Sequence, residues 1–147
     1  MSGLTLRCAQ NLCATALAEA RALGAKISCA VVDSGGNLMA FARDDGAEIA
    51  GPVLAVDKAY TAVANRIATD ELALLAAPGQ PLYGIHATAQ GRFVVFGGGI
   101  PLTLSDEVVG AIGVSGGTVD QDVRCARAAA QEFPTLTQDQ GVGHAHV

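Results

Sequence analysis

The run ISCAVVDSGGNLMAFAR, Ile27 to Arg43, constrains the fold more than any other part of the sequence. A β-branched segment, a Ser-Gly-Gly turn, and a stretch in which Leu38, Ala40 and Ala42 alternate with Met39, Phe41 and Arg43 predict a β-hairpin. Strands joined this tightly must be antiparallel, because parallel neighbours need a crossover of a dozen residues or more. The pattern returns later in the chain. RFVVF (Arg92 to Phe96) predicts a strand, IPLTL (Ile100 to Leu104) another, Ser105-Asp106 a tight turn, and EVVGAIGVSG (from Glu107) a long apolar strand.

Helical spacing fills the intervals. Leu6, Ala9, Leu12, Cys13, Ala16, Leu17, Ala20 and Leu23 recur at three- and four-residue steps, with Thr5 placed to cap the start and Gly24 to end the helix. Gly51-Pro52 opens a second helix, where the missing proline N–H costs nothing. Val53, Val56, Tyr60, Val63, Ala64 and Ile67 are its expected core face. The opposite face carries Leu54, Ala55, Lys58, Thr61, Ala62 and Asn65, too few charges for a surface left in water, so another subunit or a ligand is expected to cover it. A short helix from about Asp70 to Ala76 leads into the long loop APGQPLYGIHATAQG, and a last helix is expected from Val119 to Glu132. Loops of that length in a compact domain are often functional.

The order α-β-β-α-α-β-β-β-α predicts one domain over residues 1–133, an α/β (α+β) fold with a five-stranded antiparallel sheet flanked by helices. The βαβα alternation of a doubly wound nucleotide-binding fold is absent. Residues 134–147, polar and glycine-containing, are expected as a flexible tail, and its His144 and His146 form only a weak H-x-H metal signal. At 147 residues the chain is long enough to bury a core without staples, and with 4% aromatic residues and no Trp that core must come from Ala, Val, Leu and Ile. A net charge of −5 argues against nucleic acid as a partner. No apolar run spans a membrane and no basic-then-apolar segment opens the chain, so the expected location is cytoplasmic. Cys8, Cys13, Cys29 and Cys125, with no C-x-x-C pair, read as buried free thiols.

The stretch GAIGVSGGTVDQD, Gly110 to Asp122, carries two aspartates straight after a glycine-rich turn. Thr118 and Gln121 fit a capping box, which leaves Asp120 and Asp122 in the first helical turn, where the helix dipole favours negative charge. A ligand cradle or half of a metal site is the competing reading.

Together, GGGIPLTLSDEVVGAIGVSGGTVDQD (Gly97 to Asp122) and AVVDSGGNLMAFARDDGA (Ala30 to Ala47) closely resemble the GlcG/HbpS-like family of haem-binding and haem-degrading-type proteins, which also forms the C-terminal domain of PduO-type proteins. The resemblance covers residues from about 4 to 133. It implies a profilin-like domain assembled into homo-oligomers, often tetramers or octamers, in a family where some members bind haem and many have no assigned activity. The expectation for this chain is a homo-oligomer (dimer, tetramer or octamer) holding haem, a corrinoid or another planar cofactor between subunits. In many relatives a His follows the hairpin glycines, where this chain has Asn37, so that imidazole is missing here.

Several residues are candidates for such a site. His86 in the long loop can serve as acid, base or iron ligand, or be an ordinary surface histidine. Lys58, a position where the family also places a Lys, can hold an anion, act as a desolvated base, or be simply solvated. Arg43 can pair with a substrate carboxylate or haem propionate, or with Asp44 or Asp45. Gly97, Gly98 and Gly99 suggest close approach of backbone to a ligand or neighbouring subunit. Asp33 is a ligand-binding candidate that also fits a turn. A small-molecule enzyme, an isomerase, lyase or hydrolase acting on an organic acid through Lys58, Arg43 and His86 in the same inter-subunit cleft, is the alternative to a binding protein.

Overall fold

The computed structural model describes residues 3–145, with side chains described through Thr137. In chain order the elements are α1 (Leu6–Ala22), β1 (Ser28–Asp33), β2 (Leu38–Arg43), α2 (Gly51–Asn65), α3 (Thr69–Leu75), two single 3-10 turns (Ile85–Ala87 and Ala89–Gly91), β3 (Gly99–Leu104), β4 (Glu107–Ser115) and α4 (Val119–Ala145). The strands form one antiparallel sheet in the order β2-β1-β4-β3. Helices α1 and α4 pack together on one face over Cys29, Val31, Leu102, Ile112 and Val114, while α2 covers Val32 and Ala111 on the other. A mixed α/β single domain of three layers results. No helix among the described residues is long and apolar enough to cross a membrane.

Local chemistry explains the boundaries. Thr5 caps α1 by accepting a hydrogen bond from the Cys8 N–H at 3.2 Å. The Gln121 N–H donates to Thr118 Oγ1 at 3.2 Å and the Thr118 N–H to Gln121 Oε1 at 2.9 Å, a reciprocal box that starts α4. Ser105 and Asp106 both take positive φ, 50° and 65°, as a two-residue turn between β3 and β4 requires. In the β1–β2 hairpin, Asp33 Oδ1 accepts from the N–H groups of Gly35 and Asn37, both at 2.9 Å. Gly36 follows at φ +80°, with a side chain excluded because a Cβ would lie 2.9 Å from the Tyr60 ring.

Asp33 therefore closes the turn. Its slight burial opposes ionisation, but the bonds from Asn37 and Gly35 outweigh that and lower its pKa below the usual 3.8. Its stabilisation is complete above that value and is lost as pH falls through the lower folded value. Asp33→Ala should cost about 1 kcal/mol at neutral pH. Chemical denaturation repeated in acid should show the difference from wild type shrinking.

Three expectations are corrected. The sheet has four strands, because residues 92–96 do not pair with it. The Val94 N–H donates to Thr61 Oγ1 at 3.0 Å, Phe93 stacks on Tyr60, and Arg92 bridges to Asp57 at 2.9 Å, so the apolar alternation of RFVVF packs along α2. The faces of α2 are largely exchanged: Ala55, Lys58, Ala59, Thr61 and Ala62 point into the sheet, joined by Val63 from the expected core face, whereas Val53 is 65% exposed. What covers the small-residue face is the chain's own β4 and β3, since a Cβ on Gly113 would lie 2.0 Å from the Ala55 carbonyl oxygen. Finally, α4 does not stop near Glu132 but runs on through Pro134. A proline inside a helix costs about 3 kcal/mol, which is offset where continuation buries Phe133 and Thr137 and packs Leu136 on the core.

Candidate functional site

The most unusual feature is Lys58, fully buried in the middle of α2. An ammonium taken out of water must find a counter-charge and hydrogen bonds, and each arrives from a different element. Lys58 Nζ donates to the Val114 carbonyl at the end of β4 at 2.9 Å and to Asp122 Oδ2 at 3.2 Å, and it lies 4.9 Å from the centre of the Phe96 ring. The other carboxylate oxygen of Asp122, itself 3% exposed, accepts from the Gly117 N–H at 2.9 Å.

The triglycine closes over this pair. A Cβ on Gly98, which sits at φ +132°, would lie 2.8 Å from Lys58 Nζ and 2.4 Å from the Val114 oxygen. One on Gly99 would lie 2.4 Å from the Lys58 carbonyl, and one on Gly97 2.4 Å from Val123. The backbone approaches closely, as expected, but what it approaches is α2, β4 and α4 of its own chain. Burial pushes the Lys58 pKa down, against the pull of Asp122, and pushes the Asp122 carboxyl up, against the pull of Lys58. Both groups thus resist ionisation and hold it through each other.

The sequence reading missed Asp122 as the partner of Lys58. Asp120 stays exposed in the first turn of α4, as the dipole argument expects, whereas Asp122 turns inward. The available signal was a single Lys on a helix face otherwise made of Ala and Thr, since such a residue needs an acid brought to it from elsewhere.

The remaining candidates lie apart. His86 is exposed in the first 3-10 turn, its ring edge-on to Tyr83 at 6.1 Å between centroids. The α3–loop surface leaves Leu74, Leu75, Leu82 and Tyr83 at least one-third exposed, and the Leu82 N–H ties loop to helix by donating to the Leu75 carbonyl at 2.9 Å. Arg43 donates from Nη2 to the Ala47 carbonyl, and Asp44, one of the two acids offered as its alternative partner, pairs instead with Arg21 at 3.1 Å. Asp33 is committed to the hairpin turn. A shallow cleft of about 370 Å³ lies between α3, β3 and α4, lined by Asp70, Glu71, Ile100 and Arg127 among others, and contains none of the nominated residues. No group of three or more His, Cys, Asp or Glu side chains among the described residues is arranged to hold a metal ion. His144 has no described side chain and His146 lies outside the described residues.

The fold and the enclosed Lys58–Asp122 pair define a single-domain α/β scaffold whose glycines serve close packing. The chain belongs to the HbpS-like family, described as haem degrading protein HbpS-like, whose sequence model matches residues 4–131. It is 40% identical over 133 residues to an uncharacterised 15.0 kDa protein of the dhaT-dhaS intergenic region of Citrobacter freundii, covering 90% of this chain and 94% of that one. Corrinoid adenosyltransferase PduO of Salmonella typhimurium is 37% identical over 119 residues, which are 81% of this chain but 35% of that protein. Among solved structures, Klebsiella pneumoniae ORFY superposes with a TM-score of 0.87 at 36% identity, covering 91% of this chain and 92% of that one. The haem complex of PduOC gives 0.84 at 35% identity, with 88% and 94% covered, and a double mutant of Streptomyces reticuli HbpS gives 0.79 at 33%, with 89% and 87% covered.

Proposed function

We propose that this chain is a homo-oligomeric haem-binding protein that holds the macrocycle between copies of itself on the surface around His86. The observation that carries the reading is the similarity, along nearly the whole chain, to a relative solved as a haem complex. The residues present fit such a group by type. A planar, largely apolar macrocycle suits the exposed Leu74, Leu75 and Leu82, and iron suits the imidazole of His86 or the phenol of Tyr83 beside it. Bound haem would supply a redox-active iron. The protein's own part is to present one nitrogen ligand and shield the ring edges with a second copy. Asn37 offers no imidazole at the hairpin, and His86 is our choice of ligand among the described side chains.

The enzyme reading asks Lys58 to transfer protons. Its Nζ is already committed to Val114 and Asp122, beneath Phe96 and the triglycine, and a proton acceptor so enclosed meets no substrate.

Haemin titrated into the protein at micromolar concentration should raise and shift the Soret band, and His86→Ala should weaken binding roughly tenfold or more, as loss of a first ligand does. His144→Ala and His146→Ala should leave the titration unchanged. A flat spectrum at saturating haemin would overturn the reading, and full binding by His86→Ala would overturn the assigned ligand. Cobalamin titrated in parallel distinguishes a corrinoid. Light scattering on the haem-loaded protein that reports a single 14.8 kDa chain would remove the inter-subunit site.

A further inference from the structure

Residues 44–47, Asp-Asp-Gly-Ala, turn the chain from the end of β2 towards α2, and the Ala47 N–H closes the turn on the Asp44 carbonyl at 3.1 Å. Gly46 takes φ +76° at the third position, a value that a type II turn asks of glycine. Asp45 precedes it, both residues are exposed, and Asp45 is the one aspartate of the chain that a glycine follows. The groups around the turn are engaged. Asp44 pairs with Arg21 at 3.1 Å, Arg43 donates to the Ala47 carbonyl, and Ala47 itself is buried. Elsewhere Asp33, Asp57 and Asp122 commit their carboxylates to hydrogen bonds. Asp45 differs. Its side chain makes no hydrogen bond or ion pair among the described residues, Arg21 acting on it only at a distance, and the Gly46 N–H meets no acceptor among them.

We propose that Asp45–Gly46 is a self-modification site, at which the chain rearranges through a cyclic imide to isoaspartate and acquires a free α-carboxylate that a protein carboxyl methyltransferase can take as substrate. The attacking nitrogen and the attacked carboxyl are bonded to nothing that must first be broken. Glycine adds no Cβ to shield the nitrogen and leaves the flanking bonds free to turn.

The Gly46 nitrogen attacks Asp45 Cγ in its carboxylic acid form. The N–Cγ bond forms, the Cγ–O bond breaks, and the hydroxyl departs with the amide proton as water, leaving a five-membered imide. Water then adds to either imide carbonyl. Opening at Cγ restores aspartate, whereas opening at the former backbone carbonyl leaves the main chain running through Cβ and Cγ, with the α-carboxylate free. One water leaves and one returns, so no co-reactant beyond solvent is needed. The main chain gains one carbon between β2 and α2, and the bond from the Ala47 N–H to the Asp44 carbonyl no longer spans its original ring.

The experiment incubates the full-length, haem-free protein in neutral buffer at physiological temperature for weeks, folded and in urea. Isoaspartate is read by peptide mapping and by methyl uptake from S-adenosylmethionine with a protein isoaspartate methyltransferase. The folded protein should accumulate isoaspartate at residue 45 at a rate comparable to the unfolded chain, through a species lighter by one water, while its intact mass returns unchanged. Aged protein should unfold at lower urea concentration than fresh protein. Asp45→Glu, which would need a six-membered imide, should lose the methyl uptake, and Asp45→Ser serves should that variant fold poorly. Isoaspartate that forms in urea but not in the folded protein would show that the turn protects the bond, and modification centred on another aspartate would show that the site is misassigned; either result overturns the proposal. None of these readouts uses haem, so they stand or fall separately from the haem reading.

Discussion

Asp122→Ala is expected to destabilise the protein by about 3–5 kcal/mol, the usual cost of leaving one charge of a buried pair without its partner. Lys58 would keep its bond to the Val114 carbonyl and its place beside Phe96, but only the weaker pull of Glu48 would be left to balance it. Urea unfolding followed by circular dichroism is the suitable measurement, since the chain has no Trp to report by fluorescence. Replacing both groups, Lys58→Met with Asp122→Leu, should recover most of the loss, because apolar residues of similar volume need no compensation in a dry site. If the double variant is no more stable than Asp122→Ala, the pair does more than neutralise itself. Lys58→Met alone makes the complementary test through pH. Asp122 then stays buried with its pKa above 3.8 and without the cation that pulled it down. The folded state holds that proton to higher pH than the unfolded chain, so the variant should be most stable in acid and lose stability as pH rises through the folded value. That trend is opposite in sign to the Asp33 contribution.

Gly113→Ala should be nearly as damaging, costing about 3 kcal/mol, at the upper end of what an overpacked core methyl exacts. Its Cβ would meet the Ala55 carbonyl oxygen at 2.0 Å and the Ala59 nitrogen at 2.6 Å, both backbone atoms of α2 that no rotamer change can move. Helix α2 would have to lift from β4, stretching the Lys58–Val114 and Lys58–Asp122 contacts with it. The same urea titration should show the loss, and coupling to Asp122→Ala in a double variant should be non-additive because the two share one contact. Additive losses would mean that the helix absorbs the methyl without moving Lys58.

These two sites explain why α2 was misread. Ala55, Ala59, Ala62 and Gly113 are small because helix and strand backbones touch, whereas a helix seen alone suggests that the bulkier side, Val53 and Val56, faces inward. Periodicity identifies a face but not its orientation when both faces are apolar. RFVVF fails for a related reason: alternation shows that one side of an extended segment is buried, and α2 with Thr61 buries it as well as a neighbouring strand would. Pro134 misled because its local cost is real and only Phe133 and its neighbours, packed on the core, outweigh it.

What the sequence determined by itself were the features whose cause is local. The hairpin with Asp33 and Gly36, the Thr5 cap, the Thr118–Gln121 box, the two-residue turn at Ser105 and the family membership were all legible, because each rests on residues within a few positions of one another or on an ordered motif. Tertiary structure alone decided which face of α2 meets the sheet, that Lys58 finds Asp122 across 64 residues, that the triglycine seals this pair, and that the Cys13 thiol reaches the Cys29 carbonyl. The physical reason is that a buried charge or thiol is defined by its surroundings, and those come from elements that only the folded chain brings together.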